Sequence, residues 1–400
     1  MNRSHLLLLF VSVLATVPST AQFIDHFDGD SLRMDPRAAT GWTFFTGDGS
    51  AVMDFQLVGH GRASVCVDAT RDARNIWWAL IKRRVSDHMD LHLLRDHAYA
   101  LRVEARIKAS HAPRRVNLHL NTQRTTNFHS HLMEFDIADT TQWHTISMTT
   151  HGFDAVPGDS VYGQLALMDW GLGTYRVDLE YFRVDIVKVD SAGPDKGDQI
   201  PYHPPLPDPK SFALHVSVDQ DCTLDREFPD MRFNDWACTD ESGTTNLLAV
   251  GGTQFVIFRW DLLPFSGKVA ASAGLLELTT YALQRLPGDT KDFGMVRIVE
   301  IIGGERGWRQ QDISYGKFCG GAPINLVLNG QMIVDVHVAP ERGGKTFATI
   351  PRPVMQRLID GTTRGLAVLP LGAVHASFYA MEDHGGIRSA ALHFGLSSKY

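Results

Sequence analysis

The chain has 400 residues, 44% hydrophobic and 21% charged, with a formal net charge of -7 at neutral pH. That length suits about two domains, and the composition is that of a globular protein rather than a disordered or fibrous one. The acidic balance argues against a nucleic-acid partner, which would favour a basic face.

At the N-terminus, Arg3 precedes the apolar run Leu6–Val13 and the small-residue stretch Pro18-Ser19-Thr20-Ala21. This is the pattern of a secretory signal peptide over residues 1–21, with the mature chain beginning at Gln22. The expectation is a secreted or cell-surface protein. Beyond the signal, no run approaches the roughly 18 apolar residues of a membrane span.

Residues 22–189 read as strand, turn, strand. Gly47-Asp48-Gly49, Gly59-His60-Gly61 and Pro157-Gly158-Asp159 separate short β-branched and aromatic runs, which predicts a β-sandwich. Trp77 and Trp78 are neighbours, so on a strand one indole points to the core and the other to the opposite face. There Trp77 would stack on a sugar ring, with Lys82 and Arg83 close by to meet a carboxylated or sulfated sugar.

The stretch Arg114–Asp136 is the chain's most unusual. Val116, Leu118 and Leu120 alternate with Asn117, His119 and Asn121, the period of a half-buried strand. Gln123 and Arg124 follow, and His129, Ser130, His131 and Glu134 read as the next strand, with His129 and His131 on one face about 7 Å apart. Amides, imidazoles and guanidinium groups are costly to order unless they hold something. The stretch reads as the floor of a ligand site.

Residues 190–210 (DSAGPDKGDQIPYHPPLPDPK) have little to bury and are dense in Pro, Gly and Asp, the marks of a semi-rigid linker. Residues 211–400 are strand-rich again, at Phe255–Trp260, Gly274–Tyr281, Met295–Ile302, Met332–Val338 and Leu366–Leu369. One short helix is expected over Pro353–Ile359, with Pro353 at its first position and Asp360-Gly361 closing it. The whole predicts an all-β chain of two jelly-roll-like β-sandwich modules joined by a Pro/Gly-rich linker.

Export permits disulfides. Of the four cysteines, Cys66 reads as a buried free thiol, Cys222 with Cys238 would close a short loop, and either of these with Cys319 would tie distant strands. No Cys/His spacing suggests zinc.

The first module resembles the jelly-roll carbohydrate-binding modules found beside xylanases and glucanases. The resemblance rests, in order, on Asp25-His26-Phe27-Asp28, Gly41-Trp42, Gly61–Val65, Tyr99–Ile107, Trp143–Ile146 and Tyr175–Tyr181. It implies a structural calcium ion held by Asp25, Asp28 and Asp178, which carboxylates and backbone carbonyls would complete. The second module resembles the DNRLRE domain of secreted polysaccharide-degrading proteins, some of which bind alginate-like chains. Here the carriers are Asp221–Asp225, Phe228-Pro229-Asp230, Val256–Leu262, Val269–Leu278, Trp308, Arg364-Gly365-Leu366 and Phe378–Glu382. Met381 stands where that family has an Arg, so no ligand contact is carried over there.

Two functions follow. In the first, Asn117, His119, Asn121 and Gln123, with Trp77 and Lys82, bind an acidic, uronic-acid-containing polysaccharide, and the chain is a monomer that takes part in glycan binding and degradation. In the second, the chain is a polysaccharide lyase. Arg124, or an Asn or Gln, neutralises a uronate carboxylate while His129, His131 or Tyr162 moves the protons, with His144 a further candidate. A structural surface protein is a third, weaker reading. Glycoside hydrolysis requires a facing pair of carboxylates, and nothing singles out such a pair among Glu104, Glu134, Asp136 and Asp169.

Overall fold

Strands form where apolar residues alternate, because every second side chain can then enter one core. The computed structural model describes residues 22–29, 31–35, 37, 39–46, 50–71, 79–167, 173–201, 204–233, 247–285 and 294–397. Residues 1–21, read as a signal peptide, and Cys238 lie outside these residues.

The first sandwich contains β1 (Gln22–Asp25), β2 (Trp42–Phe45), β3 (Val52–Leu57), β4 (Ala63–Asp68), β5 (Leu80–Arg84) and β6 (Tyr99–Ala109). It continues with β7 (Arg114–Thr122), β8 (Leu132–Ile137), β9 (His144–Thr150), β10 (Val161–Ala166), β11 (Thr174–Lys188) and β12 (Asp198–Ile200). One sheet has the order β3-β4-β11-β6-β9, with β1 also on β11, and the other has the order β12-β8-β7-β10-β5-β2. Leu101, Val103, Ala105 and Ile107 of β6 face Val116, Leu118 and Leu120 of β7 across a core that also buries Trp42 and Phe182. Gly163 is required at the centre: a Cβ there would stand 2.9 Å from the side chains of Phe182 and Val184.

The second sandwich begins with β13 (Leu214–Ser217), β14 (Gln220–Asp225), β15 (Leu247–Val250), β16 (Gln254–Arg259), β17 (Val269–Ala270) and β18 (Gly274–Arg285). Then come β19 (Met295–Ile301), α1 (Tyr315–Cys319), α2 (Ile324–Val327), β20 (Leu328–His337), β21 (Lys345–Ile350) and α3 (Arg352–Ile359). It ends with β22 (Leu366–Pro370), β23 (Val374–Tyr379), β24 (Ala391–Phe394) and β25 (Leu396–Ser397). Its sheets have the orders β13-β24-β18-β23-β15, with β21 on β18, and β14-β16-β22-β19-β20. The expected helix is α3. Proline occupies its first turn, Asp360 caps it, and Gly361 follows at φ 73°, the left-handed conformation that glycine adopts without penalty.

The segment read as a linker is not a free spacer. Arg102 donates to the carbonyls of Ala192 (2.6 Å) and Pro194 (2.9 Å), β12 adds to the edge of β8, and Ile200 enters the core of the second sandwich. An extended chain carries unsatisfied backbone groups, and here both sandwiches satisfy them. The sandwiches also meet through Arg357 on α3. Its guanidinium donates to Asp136 of β8 (2.5 and 3.2 Å) and to Glu300 of β19 (2.9 and 3.0 Å). Asn329 donates from β20 to Glu300 (3.2 Å) and to the carbonyl of Pro113 (3.3 Å).

Cys66 corrects its expectation. It shares the outward face of β4 with Ser64 and Asp68 while Ala63, Val65 and Val67 fill the core, so its thiol is exposed. Cys319 is a buried thiol outside any disulfide and hydrogen-bonded with Tyr315, so the expected ties from Cys319 to distant strands do not form.

Candidate functional site

The site builds outward from β7. Since Val116, Leu118 and Leu120 are in the core, Arg115, Asn117, His119 and Asn121 point to the opposite face of the sheet. Register extends that face across five strands. His119 lies opposite Gln164 on β10, Gln164 opposite Lys82 on β5, and Lys82 opposite Thr43 on β2. A neighbouring row joins Asn121, Tyr162 and Arg84. Another runs from Glu134 on β8 through Asn117 and Ala166 to Leu80 and Phe45.

The floor of this face is largely buried: Asn121 and Gln164 keep 6% and 5% exposure, and Asn117, His119 and Glu134 lie deeper. Its rim is open. Lys82 and Tyr162 are half-buried, with the ammonium 5.2 Å from the phenol ring centroid, and Phe45 is 54% exposed at the sheet edge. Asn117 Nδ2 donates to Glu134 Oε1 at 3.3 Å, and Arg115 Nη1 lies 2.9 Å from Glu134 Oε2. Burial, together with the nearby His129, lowers the His119 imidazole to about 3, so it is neutral at physiological pH and has one donor and one acceptor nitrogen. Burial pushes the Glu134 carboxyl up, against the opposing pull of Arg115. The face therefore offers amide, imidazole, phenol and ammonium groups together, with an aromatic ring beside them.

The structure brings Lys82, Asn117, His119, Asn121 and Tyr162 together on this face. It places other candidates elsewhere. Gln123 Nε2 donates to Asp159 (2.7 Å) and its Oε1 accepts from Ser160 N–H (2.8 Å), while Arg124 donates to Asp159 (2.7 Å) and to the carbonyl of Asp154 (2.9 Å). Both side chains fasten the 154–160 loop instead of joining the polar face of β7. His129 and His131 do not share a strand as expected. They lie in the turn before β8, which begins at Leu132, and His131 packs edge-on to Phe153 at 4.9 Å. His144 is on β9 in the other sheet, 3.5 Å from Asp139. Trp77, Trp78 and Asp169 lie outside the described residues.

The acids expected to hold calcium do not form one donor set. Asp25 accepts from Phe27 N–H (2.8 Å) and the Trp42 indole (2.9 Å), Asp178 accepts from Ser64 (2.8 Å) and pairs with Arg176 (3.0 Å), and Asp28 is exposed. Among the described residues, no three His, Cys, Asp or Glu side chains are grouped to hold a metal ion.

Sequence reasoning missed Gln164, Arg84 and Phe45. Tyr162 and Gln164 flank Gly163, and this polar alternation beside a glycine was the available signal. Phe45 gave none, because an aromatic residue at a strand end is ordinarily core.

In the second sandwich, three distant motifs converge on a pocket of about 450 Å³. Arg259 donates to the Trp308 carbonyl (2.7 Å) and to Asp219 (2.9 Å), and its guanidinium lies 5.5 Å from the Trp308 ring centroid. Trp260 and Arg364 complete the walls.

No family model matches the chain, and no curated protein matches it. Among solved structures it is similar to one described as "CBM4 structure and function", at 14% identity over 41% of this chain and 97% of that one, TM-score 0.30. It is similar to the CBM22-1 xylan-binding domain from Paenibacillus barcinonensis Xyn10C at 14% identity over 44% and 99% of the two chains, TM-score 0.28. The CBM22-1-CBM22-2 tandem domain of that protein aligns over 96% of this chain and 100% of its own length, at 12% identity and TM-score 0.27.

Proposed function

We propose that the chain is a polysaccharide-recognising protein, exported and acting in glycan binding and degradation, whose ligand lies across β2, β5, β10 and β7. The observation that carries this reading is the single face on which Lys82, Tyr162, Gln164, His119, Asn117 and Asn121 meet. Amides and a neutral imidazole match sugar hydroxyls, which both donate and accept. Phe45 offers an apolar platform for a ring. Lys82 at the rim favours a chain carrying carboxylates, such as a uronic-acid polymer, while Arg84 beside it is paired with Asp87.

Affinity electrophoresis through gels containing single polysaccharides tests the reading. Retardation of the wild-type chain in at least one gel, reduced by Lys82→Ala and Gln164→Ala, is the expected result. Equal mobility in every gel overturns it.

A lyase is the second reading, favoured by Tyr162 lying opposite Asn121 on the face that also holds the neutral His119. It requires a proton to leave C5 of a uronate and reach a general base while the leaving oxygen is protonated. Release of unsaturated ends absorbing in the ultraviolet, lost in Tyr162→Phe, would establish it. Binding without such release leaves recognition alone.

A further inference from the structure

The groove between the two sandwiches has a volume of about 680 Å³, within the range of small-ligand sites. Its first-sandwich wall includes Arg115 and Glu134, and its opposite wall Val334, Val336 and Phe347, while Pro204 and Leu206 of the connecting segment border it. We propose that this groove is a subsite for an uncharged sugar unit, continuing the polysaccharide face of the first sandwich; the inference rests on the function proposed above.

Continuity comes from Glu134. It lines the groove and accepts from Asn117, which sits two residues from His119 on the same face of β7. The floor also selects the chemistry. The side chains of Arg115 and Glu134 are 7% and 1% exposed and form an ion pair with no net charge. Among the described residues, Arg115 Nε, a donor, has no hydrogen-bond partner, and Glu134 Oε2, an acceptor, has no hydrogen bond beyond its ion contact with Arg115. Buried groups left this way are costly and seldom kept without a use.

A hydroxyl both donates and accepts, so a sugar ring can satisfy both kinds of group. A carboxylate or sulfate would meet Glu134, and an ammonium would meet Arg115. Val334, Val336 and Phe347 supply an apolar wall for the face of a ring. The rim around Lys82 then receives a charged sugar and the groove an uncharged unit further along the same chain, three strands away. Such a ligand contacts both sandwiches.

The test uses the full chain and isothermal titration with two neutral probes, xylohexaose and a mixed-linkage β-glucan hexasaccharide. Val336→Trp fills the groove from the second sandwich. Leu206→Trp narrows it from an exposed position, where folding is not at stake. Both variants are expected to bind the neutral probe at least about tenfold more weakly than wild type, with an unchanged melting temperature for Leu206→Trp. Wild-type affinity in both variants overturns the subsite. Retardation in acidic-polymer gels without binding of either neutral probe overturns the subsite and leaves the proposed function standing. Absence of binding by the wild-type chain in both assays overturns both.

Discussion

Replacing Arg357 by alanine tests how the two sandwiches are held together. The arginine side chain is 13% exposed, and the carboxylates of Asp136 and Glu300 that it bridges are fully buried at 0%. Thr363 and Asn329 still donate to Glu300 after the change, but Asp136 loses both guanidinium hydrogen bonds. Leaving a buried charge without its partner costs about 3–5 kcal/mol. For a unit of some 200 residues this lowers the melting temperature by roughly 6–20 °C.

The deficit depends on pH with a definite sign. Burial already raises the Asp136 carboxyl above its ordinary range, opposed by Arg357, so removing the arginine raises it further. An acid whose folded value is raised stabilises fully below its unfolded value, and that contribution is lost as pH rises through the folded value. The variant is therefore most impaired at neutral pH and recovers relative to wild type as the solution is acidified. Differential scanning calorimetry at neutral pH and near pH 4.5 reads both effects. A fall of less than about 2 °C at neutral pH, or a deficit that does not change with pH, would refute the reasoning.

Asp221 is buried, and its carboxyl is raised well above the ordinary range by burial and by the Glu382 carboxylate, against one N–H donor from Met381. Asp221→Asn is expected to raise the melting temperature at neutral and alkaline pH, with the gain fading in acid; an equal or lower melting temperature at alkaline pH contradicts this. His119 resists protonation to about 3 from an ordinary 6.5, so the unfolded chain takes up its proton first and stability declines as pH falls through that window. Urea unfolding of His119→Gln should show a flatter acid dependence than wild type, and an identical slope would remove His119 as the cause. Gly163→Ala places a methyl 2.9 Å from Phe182 and Val184 and should cost about 1–3 kcal/mol in chemical denaturation; a neutral result would mean that β10 shifts freely.

The strands and α3 were legible because their signals are local. Alternation, turn glycines and a proline at a helix start act within a few residues, and β16, β18, β19 and β22 fall close to their expected positions. The odd parity of Asn117, His119 and Asn121 likewise announced a polar face on β7. Alternation says which face a side chain takes, however, and not what covers that face. Asp136 found its partner in Arg357, 221 positions away, and Gln123 and Arg124 found theirs in Asp159. Only the folded chain could divide the polar run Arg114–Asp136 into a buried polar floor, a loop fastening and the joint between two sandwiches, because the cost of burying a polar group is set by partners that distant segments supply.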